Sequence, residues 1–157
     1  MASAYLNAEK TALRLIARAE QSCQGLALKL EKRGHETACI QQVLLSLQEL
    51  GLVDDRRFVR LWLESRISRR INSPRQLLAG LCSRGIDREL AESSIRTILN
   101  PETEFKLLQQ YHQKLQRKSS FRKNLKKLTD INRYLKQLFI NQGFSSVVIE
   151  MFFNEVI

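Results

Sequence analysis

Gly51-Leu52-Val53-Asp54-Asp55-Arg56-Arg57-Phe58 reads as one sharp joint between two helices. Gly51 suits the left-handed residue just past a helix end, and Leu52 then falls where it can touch Leu47, as a Schellman cap requires. Asp54 stands at the N-cap of the next helix, and Asp55 adds negative charge near the positive end of that helix's dipole. Val53 before the cap and Phe58 after it have the spacing of a hydrophobic staple. The acid pair could instead hold a metal ion or exchange protons. No third carboxylate or His stands nearby at ligand spacing, so capping is the better account of both.

Working outward, glycines that follow amphipathic helices bring out a repeat of some fifty residues. Its copies end at Leu26-(x3)-Leu30…Gly34, Leu77-(x3)-Leu81…Gly85 and Leu135-(x3)-Phe139…Gly143. An apolar residue stands four and eight positions before each Gly, so one stripe runs down each helix. Further apolar residues follow at helical spacing: Ile40, Leu44, Leu47; Ala91, Ile95, Ile98; and Ile149, Phe153, Val156. Each Gly therefore joins two helices as a C-terminal cap.

Another helix upstream completes three per unit. In the first unit it covers about Asn7 to Ala19, with Leu13, Ile16 and Ala17 inward, and Ser22 caps the second helix. In the second unit it runs from Asp55 to about Ile71, burying Phe58, Leu61, Trp62 and Ser65. Ser73-Pro74-Arg75-Gln76 then reads as a capping box with Pro at the first helical position, and Asp87 caps the helix after Gly85. In the third, Asn100-Pro101-Glu102 opens a helix carrying Phe105, Leu108 and Tyr111. Lys114 to Lys127 is basic, poorly periodic and partly loop-like, and helices from Thr129 to Gln142 and Ser146 to Val156 complete the unit. The expected fold is all-α: tandem three-helix repeats in three units (1–52, 53–99 and 100–157) forming an elongated, curved array.

The chain of 157 residues is long enough to bury a sizeable core, and its Gly and Pro content is low. No apolar run could span a bilayer, and no basic-then-apolar leader opens the sequence. Cys23, Cys39 and Cys82 are odd in number and widely spaced, which fits buried or idle thiols in a reducing cytosol. The net charge of +10 points to a polyanion or an acidic protein surface as partner. That charge is uneven: residues 1–50 carry +1, residues 51–100 carry +4 and residues 101–157 carry +5.

The helix–Gly joints, the Gly51–Phe58 hinge, Ser65-Arg66 in the next helix and Arg84-Gly85-Ile86-Asp87 together resemble the RecX family, bacterial regulators of the recombinase RecA. The resemblance covers residues 10–99, and 100–157 more loosely. It implies tandem three-helix repeats, in agreement with the period above. It also implies a RecA inhibitor that lies in the groove of the RecA–DNA filament and limits filament growth, ATP hydrolysis and strand exchange. Recombination, DNA repair and the SOS response would be modulated through that contact. One departure stands out. Where the family has a Gly-rich, Pro-containing link, this chain has Arg70-Ile71-Asn72-Ser73-Pro74, which should be stiffer.

Catalytic chemistry is not indicated. His35 and His112 are far apart, no CxxC pair is present, and the glycines are isolated rather than gathered in a phosphate-cradling loop. The expectation is a binding protein without cofactor or metal, cytoplasmic and monomeric. Its candidate contact residues fall in two groups. Arg56, Arg60, Arg66, Arg69 and Arg70 lie on the first helix of the second unit, where Glu64 is the one acid after Asp55, and Arg75, Arg84 and Arg88 extend that region. Lys114, Arg117, Lys118, Arg122, Lys123, Lys126 and Lys127 form a run with no acid among them, and Phe121 offers a ring for stacking. This run suits phosphate backbones or an acidic groove, and reads equally as a plain flexible loop. The partner is either the RecA nucleoprotein filament, as the resemblance implies, or single- or double-stranded DNA bound directly by a helix-turn-helix-like protein.

Overall fold

Ten helices and no strand run through residues 2–126 and 129–156, which this computed structural model describes. They are α1 (Ala2–Arg18), α2 (Cys23–Glu31), α3 (Thr37–Glu49), α4 (Asp55–Arg69) and α5 (Pro74–Cys82), then α6 (Arg88–Ile98), α7 (Pro101–Gln116), α8 (Ser119–Leu125), α9 (Ile131–Asn141) and α10 (Ser146–Val156). The all-α expectation holds.

The helix ends follow the caps expected of them. Gly34, Gly51, Gly85 and Gly143 have φ of 81°, 68°, 75° and 84°, and no other described residue has positive φ. At each, the Gly N–H and the next N–H turn back to carbonyls of the preceding helix. At the hinge these bonds are Gly51 to Gln48 at 2.9 Å and Leu52 to Leu47 at 2.8 Å, the paired bonds of a Schellman motif. Asp54 Oδ1 accepts from the N–H groups of Arg56 and Arg57, as an N-cap should. The Ser73 box is reciprocal: Ser73 N–H donates to Gln76 Oε1 and Gln76 N–H to Ser73 Oγ. Ser22, Asp87 and Asn100 cap α2, α6 and α7.

The chain forms two compact units, one of residues 1–62 with 81–91 and the other of residues 63–80 with 92–157. In the first, α1, α2 and α3 enclose a core of Ala8, Ala12, Leu26, Leu30, Ile40, Val43, Leu44, Leu47 and Val53. Asp55 does more than charge its own helix: its Oδ1 accepts the N–H of Cys23 at 2.7 Å, at the start of α2. Arg57 ties the hinge down. Its Nε meets Glu20 at 2.7 Å, and its terminal nitrogens donate to the carbonyls of Gly51 and Leu52.

In the second unit, α7, α9 and α10 pack around rings. Phe139 is fully buried, with His112, Phe144, Phe152 and Phe153 around it at centroid distances of 5.3–6.4 Å. The start of α5 docks on the end of α9: Ser73 Oγ donates to Gln142 Oε1 at 2.8 Å, and Arg75 N–H to the Gln142 carbonyl at 3.0 Å. Glu104 is buried and receives the N–H and hydroxyl of Ser145, at 2.7 and 2.8 Å, at the N-cap of α10. Glu104→Ala should cost about 2 kcal/mol, because it strands donors in a dry site. Glu104→Gln, which keeps an acceptor there, should cost less. Urea denaturation of the two variants checks the order.

Three expectations about faces need correcting. On α1 the inward side is Ala8 and Ala12, while Leu13 is 42% exposed and Ala17 faces water. Alanines let the helices approach closely, with Ile16 at the edge. On α4 the buried residues are Val59 and Leu63; Phe58 and Trp62 are half-buried, and Leu61 and Ser65 are exposed. The stretch Lys114 to Lys126 is the end of α7, a break at Arg117 and Lys118, and the short helix α8, which leaves it only partly loop-like. Phe121 anchors α8 from the inside, buried against Tyr134 at 6.5 Å, so its ring is not offered for stacking.

Candidate nucleic-acid and partner interface

Most of the basic side chains are displayed on helix surfaces and at helix ends. In the first unit, Arg56 and Arg60 stand exposed one turn apart on α4, and Arg88 is exposed at the start of α6. Arg84 behaves differently. It is half-buried, with its guanidinium 5.1 Å from the centroid of the Trp62 ring. That geometry is a cation–π contact, and it engages part of the charge locally.

In the second unit, Arg69 and Arg70 are exposed at the end of α4, and Arg66 is half-buried. Lys114, on the last turn of α7, donates from Nζ to the Ile71 carbonyl at 3.1 Å. This contact fixes the link after Arg70 beside the end of α7, where Arg117 and Lys118 are exposed. One hydrogen bond thus joins two stretches that lie 43 residues apart in the sequence. Arg75 goes elsewhere, its Nη1 reaching the Asn141 carbonyl at 3.3 Å at the end of α9. Arg122 and Lys123 on α8 and Lys126 after it are exposed, and Lys127 lies outside the described residues.

Such a surface attracts anions without chemistry. Its charges are solvent-facing, so each contact is modest, additive and salt-sensitive. Among the described residues no group of three His, Cys, Asp or Glu is placed to hold a metal ion. No helix among them is long and apolar enough to cross a membrane. Cys23 and Cys39 are half-buried and Cys82 is exposed. Burial, and then the Asp55 carboxylate, push the Cys23 thiol above its ordinary pKa, which makes it a poor nucleophile despite its place at a helix start.

The sequence offers no hint of His112's role. It is buried edge-on to Phe139 and Phe152, and its Nε2 pairs with the Gln116 amide at 3.3 Å. Burial lowers its pKa below the ordinary 6.5. The unfolded chain then binds a proton at a pH where the folded one does not. The stability His112 contributes is therefore full above pH 6.5 and drains away as the pH falls through 6.5 toward the folded value. His112→Leu should remove that part of the acid sensitivity, as thermal unfolding on either side of pH 6.5 will show.

Residues 54–95 match the sequence pattern described as RecX, second three-helix domain. The regulatory protein RecX of Treponema pallidum is 38% identical over 111 residues, covering 71% of this chain and 68% of that protein. RecX of Halorhodospira halophila is 40% identical over 75 residues, covering 48% of this chain and 46% of the relative. A crystal structure of a regulatory protein RecX superposes with a TM-score of 0.80 at 20% identity, over 98% of this chain and 73% of the other. RecX from Lactobacillus salivarius gives 0.74 at 18% identity, over 99% and 98%. These two likenesses establish the fold. It is an all-helical fold. The chain belongs to the RecX family.

Proposed function

We propose that this chain inhibits the recombinase RecA, binding in the groove of the RecA–DNA filament and limiting filament growth, ATP hydrolysis and strand exchange. Through that contact it modulates recombination and DNA repair, acting from the cytoplasm without a cofactor or catalytic step of its own. The observation that carries this reading is the Lys114 bond to the Ile71 carbonyl, which brings the end of α7 to the link that follows Arg69 and Arg70, in a protein of the RecX family. Cations at the ends of helices suit a groove lined by phosphates or acidic side chains. Arg56, Arg60, Arg66, Arg75, Arg84, Arg88, Arg122, Lys123, Lys126 and Lys127 belong to the same proposed contact set. The division into repeats 1–52, 53–99 and 100–157 and the monomeric state are part of it.

The test is co-sedimentation with RecA assembled on single-stranded DNA, beside binding to duplexes of varied sequence without RecA. The proposal expects retention by the filament and no duplex sequence preference. A helix-turn-helix regulator acting directly on DNA would give the reverse, with one duplex sequence preferred and no gain from RecA.

A further inference from the structure

A groove of about 550 Å³ opens in the first unit, bounded by the link before α2, one side of α2 as far as Lys32, the first half of α4 and the turn from Cys82 to Gly85. Its apolar side is Phe58 and Trp62, one helical turn apart and half-buried, with Leu28, which is 48% exposed. Three partly open apolar side chains on one concave surface mark a place where something packs. The charged side is Lys32, Lys29, whose Nζ also donates to Gln21 Oε1 at 2.6 Å, and Arg84; both lysines are exposed. Glu20 is the acid in the lining, and Arg57 holds it at 2.7 Å, so it does not offset the cations.

We propose that this groove docks an acidic segment of a partner protein. An apolar side chain of that segment packs on Leu28, Phe58 and Trp62, and its flanking carboxylates meet Lys29, Lys32 and Arg84. The floor decides between peptide and nucleic acid. A base needs an open aromatic face, whereas the Arg84 guanidinium already stands over the Trp62 ring at 5.1 Å. An aliphatic or aromatic side chain flanked by carboxylates fits both sides of the groove at once. The candidate contact set on the helix surfaces omits Lys29 and Lys32, and the groove does not depend on which protein is regulated.

Trp62 is the one tryptophan of the chain, so its emission reports on the groove directly. The probe is an acetylated Glu-Glu-Leu-Phe-Glu-Glu peptide, with its Lys-Lys-Leu-Phe-Lys-Lys counterpart and a thymidylate oligonucleotide as comparisons. The acidic peptide should shift the emission saturably and slow alkylation of the exposed Cys82, which lines the same groove. Lys29→Glu with Lys32→Glu should weaken this about tenfold, since two exposed charges change sign. Both lysines are exposed and Lys29 gives up only its bond to Gln21, so helical circular dichroism should be unchanged. No saturable shift, or an equal shift with the basic peptide, overturns the proposal. So does a tighter response to the oligonucleotide that the two substitutions abolish.

Discussion

Gly85→Val is expected to lower the unfolding free energy by about 3 kcal/mol, well beyond the same change at Gly34. Both glycines are left-handed helix stops, with φ of 75° and 81°. A valine at either position carries the strain of that conformation, about 1–2 kcal/mol. The sites differ in what surrounds them. A Cβ at Gly34 would meet nothing within 4 Å. A Cβ at Gly85 would fall 2.5 Å from the Cβ of Gln24 on α2. The tip of Gln24 can swing aside, but its Cβ is fixed to the α2 backbone, so backbone must move. Urea midpoints of the two variants measure the difference directly. Equal losses would show that close approach at Gly85 adds nothing to the strain.

Reversing Arg69, Arg70 and Lys118 together to Glu should raise the concentration needed to inhibit RecA roughly a hundredfold. All three are exposed, and the buried residues of α4, Val59 and Leu63, are untouched. The fold should therefore survive, and circular dichroism provides the check. The salt dependence of filament binding should flatten by about one power of concentration for each phosphate that is no longer neutralised. Reversing Lys10, Arg14 and Arg18, exposed on α1, changes the net charge by the same amount at a different place. It should do far less. Greater damage from the α1 triple would move the functional surface to the first unit.

What the sequence makes legible here is local. A helix stop is written in a Gly and its neighbours, and an N-cap in a Ser, Asp or Asn. Gly34, Gly51, Gly85 and Gly143, and caps such as Asp54 and Ser73, are therefore legible from residue type and spacing alone. The face a helix buries is a tertiary matter. In α4 the run Phe58-Val59-Arg60-Leu61-Trp62-Leu63 is apolar nearly all round, so periodicity cannot choose Val59 and Leu63 over Leu61. In α1 the rule that large apolar residues point inward selects Leu13, where close helix packing requires Ala8 and Ala12. The order in α8 escapes for another reason: a single buried ring, Phe121, holds a helix of seven residues that carries little other apolar signal.

The candidate surface is legible as a composition and not as a place. Charge density picks out Arg69, Arg70, Lys114, Arg117 and Lys118, but it does not show that Lys114 reaches the Ile71 carbonyl just beyond Arg70. Arg84 and Arg75 look identical to those residues in sequence, yet one lies over Trp62 and the other reaches the end of α9. Arg57, missing from the basic set, is a clamp on the hinge. Its place beside Gly51 and Asp54 is the one signal that could have assigned it.

The most direct measurement is the steady-state rate of ATP hydrolysis by RecA on single-stranded DNA as this protein is added. If the protein binds in the filament groove and limits filament growth, the rate falls with increasing protein and saturates at a low residual value. The Arg69, Arg70 and Lys118 reversal shifts that curve to higher concentration. A rate that stays constant, with the protein folded and in excess over RecA, would contradict the account.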